Sequence, residues 1–169
     1  MKKSLLAVVI IIALTALFSL PALAEDTWFS IGYKDDAASL AVGIRPDGQS
    51  FGYEIGLIYS SEYSDANDYP CPHYDYHIVS DDDIEYSCGL DVLWFPGAAK
   101  NFYLGAGLYL SNERTISQSN VTGWEYVEDE DAKIDIPLSI GLIFPTKNGS
   151  FGIGYHQLRG ANIKFSIGF

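Results

Sequence analysis

The sequence predicts an all-β fold, an eight-stranded antiparallel up-and-down barrel. Three observations carry that expectation. Apolar residues recur with period two in eight segments. Short turns rich in Pro, Gly and Asn alternate along the chain with long acidic connections. Aromatic residues reach 14%, with 12 Tyr, 9 Phe and 3 Trp beside 16 Gly and one Met, a composition that favours strands over packed helices.

The chain opens differently. Met1-Lys2-Lys3 is basic, Ser4 to Leu20 is an apolar run, and Ala22-Leu23-Ala24 is a small-residue cleavage site before Glu25. That layout is a secretory signal peptide over residues 1–24, with an uncleaved membrane anchor as the alternative. No Cys stands at the cleavage point, so a lipoprotein is not expected. Residues 25–169 form the expected barrel domain. The formal charge is −12 and becomes −14 once Lys2 and Lys3 leave. So acidic a domain is not expected to bind nucleic acid, which needs cations against phosphates.

The strands follow in order. Phe29, Ile31 and Tyr33 mark the first, Leu40, Val42 and Ile44 the second, and Phe51, Tyr53, Ile55, Leu57 and Tyr59 the third. Tyr86, Cys88, Leu90, Val92 and Trp94 mark the fourth, and Phe102, Leu104, Ala106, Leu108 and Leu110 the fifth. Ile134, Ile136, Leu138, Ile140 and Leu142 mark the sixth, Phe151, Ile153 and Tyr155 the seventh, and Ile163, Phe165, Ile167 and Phe169 the eighth. Residues 46–49, 96–100 and 145–149 are short turns at one end. The other end carries a tight Asp35-Asp36 turn, a short 156–160 link and two long loops, 61–83 and 111–131.

A soluble lipocalin-like barrel alternates as well, with its apolar face inward. Three features favour a membrane barrel. The apolar face is almost free of charge. The opposite face is mostly Gly, Ser and Ala, which suits a narrow interior. Aromatics gather at the strand ends: Trp94, Phe102, Phe144, Phe151 and Phe169 at the short-turn end, Tyr33, Tyr59, Tyr86 and Tyr155 at the other. That distribution matches two interfacial girdles. A bacterial outer membrane is the expected location, with the long acidic loops extracellular.

The last residues, Ile163-Lys164-Phe165-Ser166-Ile167-Gly168-Phe169, alternate up to a terminal Phe. This resembles the C-terminal assembly signal of bacterial outer-membrane barrels, carried here by Ile163, Phe165, Ile167 and Phe169. Over nearly all of residues 27–169 the chain resembles the small barrels typified by the OmpA transmembrane domain and the OmpX/Ail group. The resemblance implies contact with outer-membrane lipid, lipopolysaccharide and the barrel insertion machinery. It also implies a lumen whose ion pairs could exchange partners.

Parity turns Arg45, Glu54, Asp91, Asp135, His156 and Lys164 into the lumen, with Arg45, Glu54, Asp91 and Lys164 close in height. Buried charges must be paired, so an ion-pair plug is expected, with a small-ion gate as the alternative. Some barrels of this size are lipid A deacylases with a lipid-facing His and a Ser two residues on. Here Leu158 follows His156, and His156 faces inward. The palmitoyltransferase class carries its His in the first outer loop, which here is only Asp35-Asp36. His73 and His77 lie among Ser64, Asp65 and Asp68 without a recognisable spacing, so no enzyme is expected.

The loops are acidic, with no Lys or Arg in 61–83 and Arg114 alone in 111–131. Asp81, Asp82, Asp83, Asp129 and Asp131 are weak candidates for a divalent cation, since oxygen ligands suit Ca²⁺ and Mg²⁺. Tyr63, Tyr69, Tyr74, Tyr76, Trp124 and Tyr126 add contact residues. Cys71 and Cys88 are the only cysteines, and an exported pair reads as a disulfide. Together these features predict a monomeric barrel with a structural and surface-interaction role and no cofactor. The alternatives are a low-conductance, porin-like ion pore or a lipid A-modifying enzyme.

Overall fold

The computed structural model describes residues 24–97 and 101–168. The expected leader up to residue 23, most of the 96–100 turn and Phe169 lie outside them. Nine strand segments follow in order: β1 (Ala24–Lys34), β2 (Ala37–Pro46), β3 (Phe51–Ser60), β4 (Tyr76–Trp94), β5 (Phe102–Ser119), β6 (Glu125–Asp135), β7 (Leu138–Thr146), β8 (Gly149–His156) and β9 (Gly160–Gly168). They make eight staves, because β6 and β7 both pair with β5 and form one stave broken at Ile136 and Pro137. Pro137 has no N–H for the ladder, but its carbonyl still accepts the Gly107 N–H at 2.9 Å.

All pairings are antiparallel between neighbours, and β1–β9 and β4–β5 close the ring. The closure has a measurable slip. From Leu110 on β5 the register runs through Cys88, Leu57, Leu40 and Ile31. It continues through Ile163, Ile153 and Leu142 and returns to β5 at Phe102, eight residues below its start. Eight strands with a shear of eight tilt by about 36° and leave an interior that side chains fill.

The expectation of two long loops is corrected. β4 and β5 run on past Tyr86 and Ser111 and, with β6, form a three-stranded extension of the wall. Only residues 61–75 and 120–124 remain irregular. The period of two is obscured there because β4 carries three register shifts between Ile78 and Tyr86, and each bulge resets the alternation. Cross-strand pairs hold the extension instead: Arg114 with Asp83, and Lys133 with Glu113. Ile116 is fully buried within it. At the tip, Gly123 takes φ +75° and its N–H reaches the Ser119 carbonyl at 2.8 Å. A left-handed position of this kind suits glycine. At the other hairpins of this end, Asp35 and Asp36 both have positive φ, the two-residue turn that matches strand twist.

The outer wall is apolar on every stave. Ile31, Leu40, Tyr53, Leu90, Leu108, Ile140, Ile153 and Phe165 all stand exposed. On the β6–β7 stave the run continues unbroken through Ile134, Ile136, Leu138, Ile140, Leu142 and Phe144, with Ile136 at 73% exposure. Aromatics border the wall at the short-turn end, where Phe144, Phe151 and Phe165 lie side by side. At the other end Tyr59 faces Tyr86 across β3 and β4.

Candidate functional site

Adjacent strands bring the central charges together. Glu54 on β3 lies opposite Asp91 on β4, and Lys164 on β9 faces the same interior. Glu54 is completely buried and accepts from Lys164, from Arg159 and from the Trp28 indole N–H. Asp91, 1% exposed, accepts from the Tyr109 hydroxyl at 2.8 Å, from Arg159 at 3.0 Å and from His156 Nε2 at 3.0 Å. The backbone fixes the histidine. Nδ1 of His156 accepts the N–H groups of Leu158 and Arg159, so the ring proton sits on Nε2 and points at Asp91. Two carboxylates, two cations and a neutral imidazole leave the cluster balanced, as charges shut away from water require.

Parity turned all six expected residues into the lumen, and strand height grouped Arg45, Glu54, Asp91 and Lys164; the structure brings Glu54, Asp91 and Lys164 together and adds His156. It separates the other two. Arg45 is buried at the short-turn end, paired with Asp26 and stacked over the Phe95 ring. Asp135 lies higher, where Ser111 donates to it at 2.8 Å. Arg159, the central cation, was missed. It sits on the β8–β9 turn, where strand parity says nothing. The available signal was charge balance: three inward carboxylates stood against Arg45 and Lys164, and Arg159 is the one Lys or Arg in an otherwise short link.

Large aromatics fill what the charges leave. Trp28, Leu93, Phe95 and Tyr103 pack together toward the short-turn end, with Ile143 against them. The Lys164 ammonium lies 5.1 Å from the Tyr103 ring centre. Glycines on facing strands make the room. A Cβ at Gly43 would sit 2.2 Å from the Trp28 indole, and one at Gly56 would sit 2.2 Å from the Tyr109 hydroxyl. The Gly-rich inner face is therefore the complement of the Trp28 and Tyr109 rings.

Above the cluster the extension forms a second polar region. Arg114 donates twice to Asp83, at 2.9 and 2.6 Å, and both side chains are buried. Lys133 donates to Glu113 at 2.8 Å, which holds its ammonium above the usual lysine range. Loop 61–75 crosses to β6, where Asn67 bridges Tyr126 and exchanges backbone hydrogen bonds with Glu125 and Val127. Glu128 clamps the same loop, accepting from the Cys71 N–H and from Ser117. His77, at the tip, pairs with Asn120, which donates to Asp75.

The disulfide expectation is corrected, because Cys71 and Cys88 are both free. Cys88 belongs to the barrel wall, between Leu57 and Leu110. Cys71 is held beside Glu128 at the height of Ser117, which pairs with Ile78. That is on the order of 25 Å further along β4, far outside the ~7 Å Cα limit for a bridge. The aspartate candidates do not converge either. Asp83 is taken by Arg114, Asp129 accepts the Glu130 N–H, and among the described residues no three His, Cys, Asp or Glu side chains come together to hold a metal.

The fold and its interior define a closed eight-stranded barrel with a side-chain-filled lumen and a protruding acidic sheet. Among solved structures the chain is similar to the crystal structure of Neisserial surface protein A (NspA), at 13% identity, with 85% of this chain and 94% of that chain covered and a TM-score of 0.37. No family model and no curated protein matches the sequence.

Proposed function

We propose that this chain is a small outer-membrane barrel whose lumen is closed and whose working part is the acidic extension outside the membrane. The carrying observation is the inversion of the barrel: large apolar side chains cover its outside, while ions and hydroxyls fill its inside. An apolar belt of that extent is unstable in water. Its height fits a bilayer. From Ile134 to Phe144 ten residue steps of ~3.3 Å at a tilt of ~36° rise about 27 Å, close to the ~25 Å apolar band of outer-membrane barrels. No helix of the described residues is long and apolar enough to cross a membrane.

Two features support a surface role over conduction or catalysis. The Glu54–Lys164–Arg159–Asp91 cluster and the Trp28–Phe95–Tyr103 packing occupy the lumen in successive layers. His156 is shut inside, hydrogen-bonded on both nitrogens. The test is protease treatment of intact cells, followed by fractionation. The expected result is cleavage within residues 61–75 or 120–124 and a protected fragment in the outer-membrane fraction. A protein untouched on intact cells, or found in the soluble periplasm, contradicts the proposal. Steady single-channel conductance in planar bilayers would contradict the closed lumen.

A further inference from the structure

β3 pairs with β4 only as far as Tyr59 and Tyr86. β4 continues above that point to Tyr76. Residues 76–85 therefore pair with β5 on one side and, among the described residues, with no strand on the other. The row of backbone donors and acceptors on a free edge is a template for one more strand. A cavity of about 230 Å³ opens at the foot of this edge, where β3 turns away. Ile58 and Leu158 give it an apolar lining, and Asp35, Glu62 and Asp82 an acidic one. Its one cation, Lys34, is engaged by the Gln157 carbonyl at 3.0 Å and by Asp35 at 3.5 Å.

Charge decides the occupant. Residues 61–85 carry eight carboxylates and no Lys or Arg, and residues 111–133 carry six against Arg114 and Lys133. These two stretches hold a formal −12 of the −14 carried by residues 25–169. A second copy would bring the same acidic edge and be repelled. A basic strand meets the opposite situation: its backbone finds partners and its charges are steered inward.

We infer that the free edge of β4 over residues 76–85 is a docking site for an extended, basic polypeptide segment, which lays its backbone along the edge and seats an Arg or Lys side chain in the cavity between Glu62 and Asp82. This deepens the surface role proposed above and rests on it only in requiring the extension to be exposed.

The test uses the full mature chain folded in detergent micelles, with its heat-dependent gel shift as the control for a folded barrel. Three fluorescent twelve-residue probes are titrated by anisotropy: alternating Arg and Val, the same peptide N-methylated at every residue so that neither edge can donate, and alternating Glu and Val. Binding of the first, at least tenfold weaker binding of the second and none of the third is expected. Glu62→Lys with Asp82→Lys, both exposed and outside the barrel cluster, is expected to weaken the first probe at least tenfold while the gel shift stays. Equal binding of the N-methylated probe would reduce the site to bulk charge attraction and overturn the edge. Absence of binding by a heat-shifting preparation would overturn the site while leaving the barrel intact. Concentration-dependent dimers by light scattering that exclude the first probe would assign the edge to a second copy instead.

Discussion

Arg159 and Glu54, 105 residues apart in sequence, meet at the centre of the lumen, and Arg159 also reaches Asp91. One turn residue thus ties the β8–β9 hairpin to β3 and β4 on the other side of the barrel. The pairing makes the lumen a single electrostatic unit.

Removing one charge should therefore cost more than removing two. Glu54→Gln leaves Lys164 and Arg159 short of a counter-charge, and breaking a buried pair from one side costs about 3–5 kcal/mol. Glu54→Gln with Lys164→Met restores balance and should recover part of that loss. Urea unfolding in micelles, followed by tryptophan fluorescence, reads both. A double variant weaker than the single would show that the cluster is not one unit.

Gly56 and Tyr109 should be coupled. Gly56→Ala drives a Cβ against the Tyr109 hydroxyl, and overpacking of this kind costs about 1–3 kcal/mol. Tyr109→Phe removes the obstacle and the Asp91 hydrogen bond together. The double variant should be more stable than the sum of the singles by about 0.5–3 kcal/mol, the range for contacting residues. Simple additivity in the same unfolding assay would contradict the packing.

Arg114→Met should loosen the extension without opening the barrel. It leaves Asp83 buried beside Glu85 with no cation. Limited proteolysis in micelles should then cut within residues 76–85 or 111–119 faster by tenfold or more, with the heat-dependent gel shift kept. Loss of the gel shift as well would place Arg114 in the barrel's own stability.

Both cysteines should be reactive in the unfolded, unreduced protein. Maleimide labelling in denaturant should add two labels by mass, and a reducing agent should leave the unfolding midpoint unchanged. A protein that takes up label only after reduction would contain the bridge that the geometry excludes.

Much of the architecture could be read from the sequence, because a barrel with two chemically opposite faces enforces strict alternation. The β3 stretch around Ile55 and the β7 stretch around Ile140 show it plainly. Reading failed where that pressure lapses. Above the apolar belt β4 and β5 no longer present one continuous apolar face, and bulges near Ile78, Ser80 and Ile84 break the period, so strands read as loops. Within the site, parity turned Glu54, Asp91, His156 and Lys164 inward, but strand height grouped Arg45 rather than His156 with the rest, since height along a strand does not reveal that Asp26 stands closer to Arg45. Arg159 was hidden because a turn has no parity. The Cys71–Cys88 bridge failed for a related reason: counting cysteines ignores the long stretch of β4 that holds them apart.

The central claim is a closed barrel embedded in the outer membrane, and heat-dependent mobility tests it most directly. Outer-membrane and soluble fractions are run in detergent gels with and without boiling. A faster unboiled band confined to the outer-membrane fraction, collapsing to the full-mass position on boiling, is the predicted result. A single unshifted band in the soluble fraction would contradict the account.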